Sequence, residues 1–236
     1  MISLACDFHV HTALSPCALE EMTPRNIVSM ARLAGAEVIA ITDHNSCRNV
    51  SAVTRAAGNK LVVIPGLEVW TREDVHLLCL FPSLVSAEQF GGVVYAALPD
   101  RHCDADLFGA QYLFDENDRI VGWEERLLLS PVALGVDEVG ALVEQLGGCI
   151  IPAHVDRSYG LIHQLGFVPP HLKIPFVEVS RRGKQPQTSR MFRAVTNSDA
   201  HSLADLAGAK PWFLAVESAT IQGVISSLRA QCSTGA

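Results

Sequence analysis

The stretch Leu4-Ala5-Cys6-Asp7-Phe8-His9-Val10-His11 decides how this chain is read. Its left flank is apolar enough to be a buried strand, and side chains two apart on a strand point to the same side. His9 and His11 therefore project together from the end of a first strand. Two adjacent imidazoles are costly to bury alone, and a divalent metal is the partner that best uses two neutral nitrogens. A His-x-His alone is equally compatible with two half-exposed loop histidines, so the rest of the chain must decide.

Five further segments repeat the pattern of an apolar run meeting a polar ligand type. Val38–Ile41 runs into Thr42-Asp43-His44, and Val62–Gly66 runs into Glu68. His76 begins the next apolar run, Ile150–Ala153 runs into His154, and Ala194–Ser198 runs into Asp199-Ala200-His201. Asp199 and His201 repeat the two-residue spacing of the opening pair. A single histidine after a strand is ordinarily a hydrogen-bonded structural residue, but so many of them together point to a metal site.

The expected strands are Leu4–Val10, Glu37–Ile41, Leu61–Ile64, Val75–Phe81, Cys149–Ala153, Phe176–Val179, Ala194–Asn197 and Phe213–Val216. A first helix is marked by Thr23 as N-cap, Pro24 at the first helical position, apolar Ile27, Met30, Ala31 and Ala34, and Gly35 as its stop. Asp137–Leu146 and Ile221–Ala230 read as two more. Strands alternating with helices imply a parallel sheet, and ligands gathered at the carboxyl ends of strands imply a closed α/β barrel with its site on that face. From Pro99 to Pro131 the rhythm breaks. Gln111–Phe114 and Arg119–Gly122 read as a hairpin, placed either as an insertion over the barrel mouth or as a structural excursion. A single domain over residues 1–236 is expected, because no linker divides the chain.

Composition bounds the function. Of the 236 residues, 49% are hydrophobic and 18% charged, which suits a large core. The apolar runs are far shorter than the ~20 residues that span a bilayer, and no secretory leader is expected, since Asp7 and His9 interrupt the first apolar stretch. Seven cysteines at irregular intervals make no disulfide framework, so a cytoplasmic location is expected. A formal charge of −7 argues against a nucleic-acid surface, as do aromatics at 6% and the lack of any basic run.

The motifs His9-Val10-His11-Thr12, Ile41-Thr42-Asp43-His44-Asn45, Pro65-Gly66-Leu67-Glu68, His76, Pro152-Ala153-His154 and Ser198-Asp199-Ala200-His201 together resemble the successive motifs of the PHP superfamily, named after polymerase and histidinol phosphatase. The resemblance implies a distorted (β/α)7 barrel, a TIM-like α/β fold, with up to three metal ions and metal-dependent phosphoesterase activity. It implies one metal on His9, His11, Glu68 and Asp199, and a second bridged by Glu68 and completed by His76 and His154. A third would use His44, His201 and Cys17, which stands where many members carry a histidine. A thiolate there suits zinc or ferrous iron, and the alternative is a small buried cysteine in a turn. Glu20 and Glu21 are the substitutes if Cys17 is not a ligand.

The chemistry the resemblance implies for such a site is hydrolysis of a phosphate ester, for which the ions would supply a bridging hydroxide, with Glu68 and Asp199 as the central carboxylates. The expected cofactors are two to three divalent ions, zinc, manganese or iron. Arg157 is the best-placed cationic contact for a small phosphorylated substrate, and Arg181 or Arg182 could serve similarly, although strand-end loops carry charges anyway. Ser15 and Ser198 are assigned no catalytic role, and His102, His163 and His171 are read as surface or structural. Three alternatives stay open: a nuclease or oligonucleotide phosphodiesterase, a non-catalytic metal-binding PHP module, and a metal-dependent amidohydrolase. The last is disfavoured because the bridging position is Glu68 and no lysine stands at a strand end. The sequence says nothing of oligomeric state.

Overall fold

The computed structural model describes residues 1–232. The chain alternates strands and helices from its start: β1 (Ile2–Val10), α1 (Pro24–Leu33), β2 (Val38–Ile41), α2 (Val50–Ala57), β3 (Val62–Trp70) and β4 (His76–Leu80). Then come α3 (Leu84–Ala97), α4 (Ala105–Phe108), the hairpin β5 (Tyr112–Phe114) and β6 (Ile120–Trp123), α5 (Val136–Gln145) and β7 (Cys149–Pro152). The remainder is α6 (Leu161–Leu165), β8 (Phe176–Glu178), β9 (Arg193–Val195), α7 (Leu203–Ala207), β10 (Trp212–Val216) and α8 (Ile221–Cys232). Among the described residues no helix is long and apolar enough to cross a membrane.

The main sheet runs β10-β1-β2-β3-β4-β7, and β8 and β9 form a parallel pair. Backbone bonds lace that pair to both sides of the sheet. Val155 N–H donates to Glu178 O at 2.8 Å beyond β7, and His11 N–H donates to Ala200 O at 3.1 Å beyond β1. The result is a curled α/β sheet with helices outside it. One apolar cluster fills the concave side, with Leu4, Phe8, Ile64, Leu78 and Phe176 closed off by Val224, Ile225 and Leu228 of α8. A second cluster lies under the outer helices, where Ile27, Ala31, Val53 and Phe90 meet Ile39, Ile41 and Val63.

The sheet is not wholly parallel, as strand–helix alternation alone implied. β1, β2 and β3 are mutually parallel, but β4 runs antiparallel to both β3 and β7, and β10 antiparallel to β1. The reason is the turn between Trp70 and His76, which is too short for a crossover helix and makes a hairpin. β3 is also longer than its apolar run, extending through Glu68 to Trp70. Helix α1 begins as expected at Pro24, yet Thr23 caps it only by position. Its side chain makes no capping bond, and its Oγ1 is buried without a partner. Helix α3 escaped the periodicity argument because Val85, Val93 and Tyr95 are exposed while Ala87, Phe90 and Val94 are buried, so no single apolar stripe marks it.

The excursion between α3 and α5 is pinned at the mouth of the sheet. Asn45 Nδ2 donates to Leu128 O and Ser130 O at 2.7 and 2.8 Å. Asn49 donates to Tyr112 O at 2.9 Å and accepts from Phe114 N–H at 3.0 Å. Buried Gln111 ties the hairpin to the following segment through Glu124 O, Arg126 O and Leu128 N. These amide side chains satisfy backbone groups that a loop over a buried site would otherwise leave unpaired.

Candidate metal centre

A bulge prepares the opening histidines. Against β2, the register of β1 shifts between Asp7 and Val10. Leu4, Cys6 and Phe8 belong to the concave-side cluster, whereas Val10 belongs to the outer one. The change of parity leaves His9 and His11 facing the concave side, and bulges commonly re-aim side chains in this way. Their Nε2 atoms are 3.1 Å apart. The antiparallel hairpin does the same for His76. Because β4 runs backwards, its amino end pairs with Trp70 at the edge where the other strands end, so His76 joins residues at their carboxyl ends.

Glu68 sits at the centre and is 1% exposed. Its Oε1 lies 2.9 Å from His76 Nδ1, 3.2 Å from His154 Nε2 and 3.4 Å from His9 Nε2. Its Oε2 lies 3.0 Å from His44 Nδ1 and 3.4 Å from His11 Nε2. Asp199 Oδ1 faces the same space, 3.3 Å from His9 Nε2 and 3.7 Å from His11 Nε2. Among the described residues, three sets of donor atoms lie close enough together to share an ion: His9, His11 and Asp199; His44, Glu68 and His76; and His11, His44 and His201. His11 and His44 each belong to two of these sets.

Hydrogen bonding alone does not satisfy this arrangement. Two carboxylate oxygens face five imidazoles, and His44 Nδ1, Glu68 Oε2, His76 Nε2 and His154 Nδ1 are buried without an aligned partner. His44 Nδ1 and Glu68 Oε2 are close but not aligned as donor and acceptor. A buried carboxylate with an unpartnered oxygen, among imidazoles whose ligand atoms gather in sets small enough to share an ion, is the donor arrangement that divalent cations take, so the residues fit metal ions.

Without ions, the electrostatics compensate through protons. Burial opposes charge on His44, but Glu68 and the neighbouring Cys17 thiol outweigh it and raise the ring to about 9. Burial likewise opposes His11, and Asp199 and Glu68 raise it to about 8. His9 is raised well above its ordinary value because Glu178, Asp199 and Glu68 together overcome its burial. His201 goes the other way, to about 3, through burial and the neighbouring His11 charge. Glu68 and Asp199 are both held below the usual carboxylate range despite burial, Glu68 by His76, His9 and His44, and Asp199 by His9 and His11.

A surrounding set of polar residues orients the rings. His9 Nδ1 lies 3.1 Å from both oxygens of Glu178, which also accepts from His154 N–H at 3.0 Å and from Asn197 Nδ2 at 2.7 Å. His11 Nδ1 lies 2.9 Å from Ser15 Oγ, which donates to Asp43 Oδ1 at 2.7 Å. Asp43 is held in turn by Thr12 N–H and Oγ1. His201 Nδ1 lies 2.9 Å from Asp199 O, which leaves Nε2 for the site. Such partners select the tautomer that presents the other nitrogen. The backbone is strained here as well: Asn45, His154 and Asp199 have φ of 50, 28 and 52°, a region non-glycine residues seldom enter.

Sequence reasoning missed Glu178 and Asn197, met Asp43 only as part of a motif, and assigned Ser15 no catalytic role without foreseeing that it orients His11. A signal existed for Glu178, since a lone carboxylate inside Phe176–Val179 interrupts an apolar strand, and it is 2% exposed. Cys17 lies in an exposed turn with its thiol beside His44, and the three donor sets do not include its sulfur. Glu20 and Glu21 are exposed and engaged elsewhere, with Tyr112 OH and Leu203 N–H respectively. Arg157 donates to Asp199 Oδ2 at 2.7 Å, on the side away from the histidines. Arg181 is tied to Asp205 O and Gly208 O, whereas Arg182 and Lys210 are exposed. Together these four cations line a cleft of about 840 Å³ that reaches Asp199 and His201. His171 pairs with Asp137 on the surface.

The sequence profile of the PHP domain family matches residues 7–150, from the first metal-type motif to the start of β7. An uncharacterized protein of Methanocaldococcus jannaschii is 32% identical over 142 residues, covering 46% of this chain and 80% of that protein. Among solved structures, the lesion-specific endonuclease EndoQ of Pyrococcus furiosus superposes with a TM-score of 0.69 at 19% identity, over 97% of this chain and 56% of that one. The chain thus spans little more than half of the endonuclease. A proposed metal-dependent phosphoesterase from Bifidobacterium adolescentis superposes with a TM-score of 0.59 at 19% identity, over 96% of both chains. At these identities the likeness is one of fold.

Proposed function

Because the chain belongs to the PHP domain family, we propose that it hydrolyses phosphate esters with two to three divalent metal ions held by His9, His11, His44, Glu68, His76, His154, Asp199 and His201. The observation that carries this reading is Glu68, a buried carboxylate within 3.4 Å of five imidazoles, several with unpartnered atoms. When bound, the metals supply a water acidified toward neutrality and positive charge for the phosphoryl oxygens. The chain's own residues hold that arrangement. Glu178 and Ser15 fix the rings of His9 and His11, and Arg157 fixes the outer oxygen of Asp199 while keeping part of its guanidinium toward solvent. No side chain is needed as nucleophile.

Arg157, Arg182 and Lys210 give the cleft beside Asp199 and His201 the charge to bind a substrate phosphate. That cleft also supports a second reading, a phosphodiester in a nucleic-acid strand, because its volume of about 840 Å³ is larger than a single phosphate needs and its exposed cations suit a phosphate backbone. The fold shared with a lesion-specific endonuclease keeps this reading level with a small phosphorylated substrate. The test is hydrolysis of a panel of phosphate monoesters, diesters and short oligonucleotides by metal-stripped protein reloaded with Mn²⁺, Zn²⁺ or Fe²⁺. Metal-dependent phosphate release from monoesters alone would select the small substrate, and cleavage of oligonucleotides the second reading. No hydrolysis with any metal would leave the non-catalytic module.

A further inference from the structure

Two of the seven cysteines meet at the end of the sheet opposite the histidine cluster. Cys149 opens β7 and is buried, and Cys232 closes α8 and is half-buried against the same apolar cluster. Both line a cavity of about 550 Å³ whose walls come from α5 and α8, with Arg229 beside them. The two side chains are neighbours, and each thiol also reaches a backbone carbonyl, Cys149 Sγ lying 3.8 Å from Ile150 O and Cys232 Sγ 3.6 Å from Leu228 O. Residues 83 positions apart in sequence thus place two neighbouring thiols in the wall of one cavity.

We propose that Cys149 and Cys232 form a dithiol site that a peroxide closes to a disulfide, clamping the last turn of α8 onto the start of β7. The environments divide the roles. The neighbouring Cys149 thiol and the Arg229 charge in the same cavity wall lower the Cys232 thiol against its partial burial, and Cys232 is the less buried of the two, so it is the nucleophile. The neighbouring Cys232 and full burial push Cys149 well up, so it remains a thiol until its neighbour is oxidised. The Cys232 thiolate attacks one peroxide oxygen and breaks the O–O bond. This gives a sulfenic acid and a hydroxide, which leaves as water with the proton Cys232 had released. The Cys149 sulfur then attacks the sulfenic sulfur and displaces its hydroxyl, which leaves as water with the Cys149 proton. One peroxide is reduced, two thiols are oxidised, and two waters are formed. Cys6, Cys47 and Cys79 are buried and held as thiols, Cys6 and Cys47 pushed up to about 12 by that burial.

The experiment treats the full chain with hydrogen peroxide, blocks free thiols with one alkylating label, reduces, and applies a second label before peptide mass mapping. The expected result is the second label on Cys149 and Cys232 together, a cross-linked peptide pair before reduction, and a rise in Tm that dithiothreitol reverses. Cys232→Ser, a near-isosteric change at the last residue of α8, should leave Cys149 with the first label and abolish the rise. Cys149→Ser should leave Cys232 as a sulfenic or sulfinic acid. First label on both cysteines in the treated wild-type chain would overturn the proposal. So would oxidation of Cys232 beyond sulfenic acid while Cys149 stays free.

Discussion

Glu178→Gln keeps the side-chain volume at the back of the site and removes its charge. In the native arrangement Glu178 Oε1 accepts from His154 N–H at 3.0 Å, Oε2 accepts from Asn197 Nδ2 at 2.7 Å, and His9 Nδ1 lies 3.1 Å from both. Every neighbour is a donor, so a glutamine must turn its own NH₂ toward either His154 N–H or Asn197 Nδ2. One buried donor then faces another, a mismatch that costs about 1–3 kcal/mol of fold stability. The loss at the site is separate. A carboxylate behind a ligating histidine fixes its tautomer and raises its basicity, and removing such a partner typically weakens metal binding 10–100-fold, about 1.4–2.7 kcal/mol. Chelator competition on the wild-type and variant proteins, read by elemental analysis, measures the second quantity, and thermal unfolding without metal measures the first. Metal affinity within about twofold of wild type, in a protein whose Tm has fallen, would show that Glu178 serves only the fold.

Four shorter predictions accompany it. Glu68→Gln should cut turnover more than tenfold, at least about 1.4 kcal/mol in barrier, because one neutral amide cannot hold five imidazoles and the ions together; a variant keeping more than about a tenth of the activity would remove Glu68 from the centre. Arg157→Ala should lower kcat/KM about tenfold or more with metal content unchanged, whereas a drop in bound metal would mean Arg157 acts only through Asp199. Cys17→Ser should lose one equivalent of metal at most, and elemental analysis showing the loss of two would contradict a peripheral position for Cys17. In metal-free protein, protonated His44 and His11, raised from 6.5 to about 9 and about 8, stabilise the fold fully below pH 6.5, and that contribution is lost as pH rises through those values. The Tm of the stripped protein should therefore fall between pH 6.5 and 9. Added metal, which needs neutral imidazoles, should restore more of it at the upper end than at the lower. A flat profile without metal would refute the coupling to Glu68.

The ligand types were legible before any fold was known, because each sits beside an apolar run whose period marks a strand. His9, His11, Glu68, His154 and Asp199 are local signals of that sort, and the structure brings them to one point. Cys17 was legible only as a position, since nothing in Leu14-Ser15-Pro16-Cys17 tells whether the sulfur turns inward. In the structure it lies in an exposed turn near His44. Arg157 was legible as a cation three residues after His154, but its pairing with Asp199, 42 residues away, was not.

What the sequence determined by itself is therefore the inventory and its order: which residues can donate to a metal, beside which strand each stands, and three of the helices, α1, α5 and α8. These follow from periods of two and of 3.6 residues, which are local properties of a chain. What only the tertiary structure decided is direction and company. β4 runs backwards, and so its first residue, His76, arrives at the edge where its neighbours end. A bulge in β1 turns His9 and His11 to the concave side. Glu178 meets His9 across 169 residues, and Ser15 reaches Asp43 across 28. Contacts of that separation arise when the sheet curls and buried polar groups must find partners, and no short window of sequence carries that requirement.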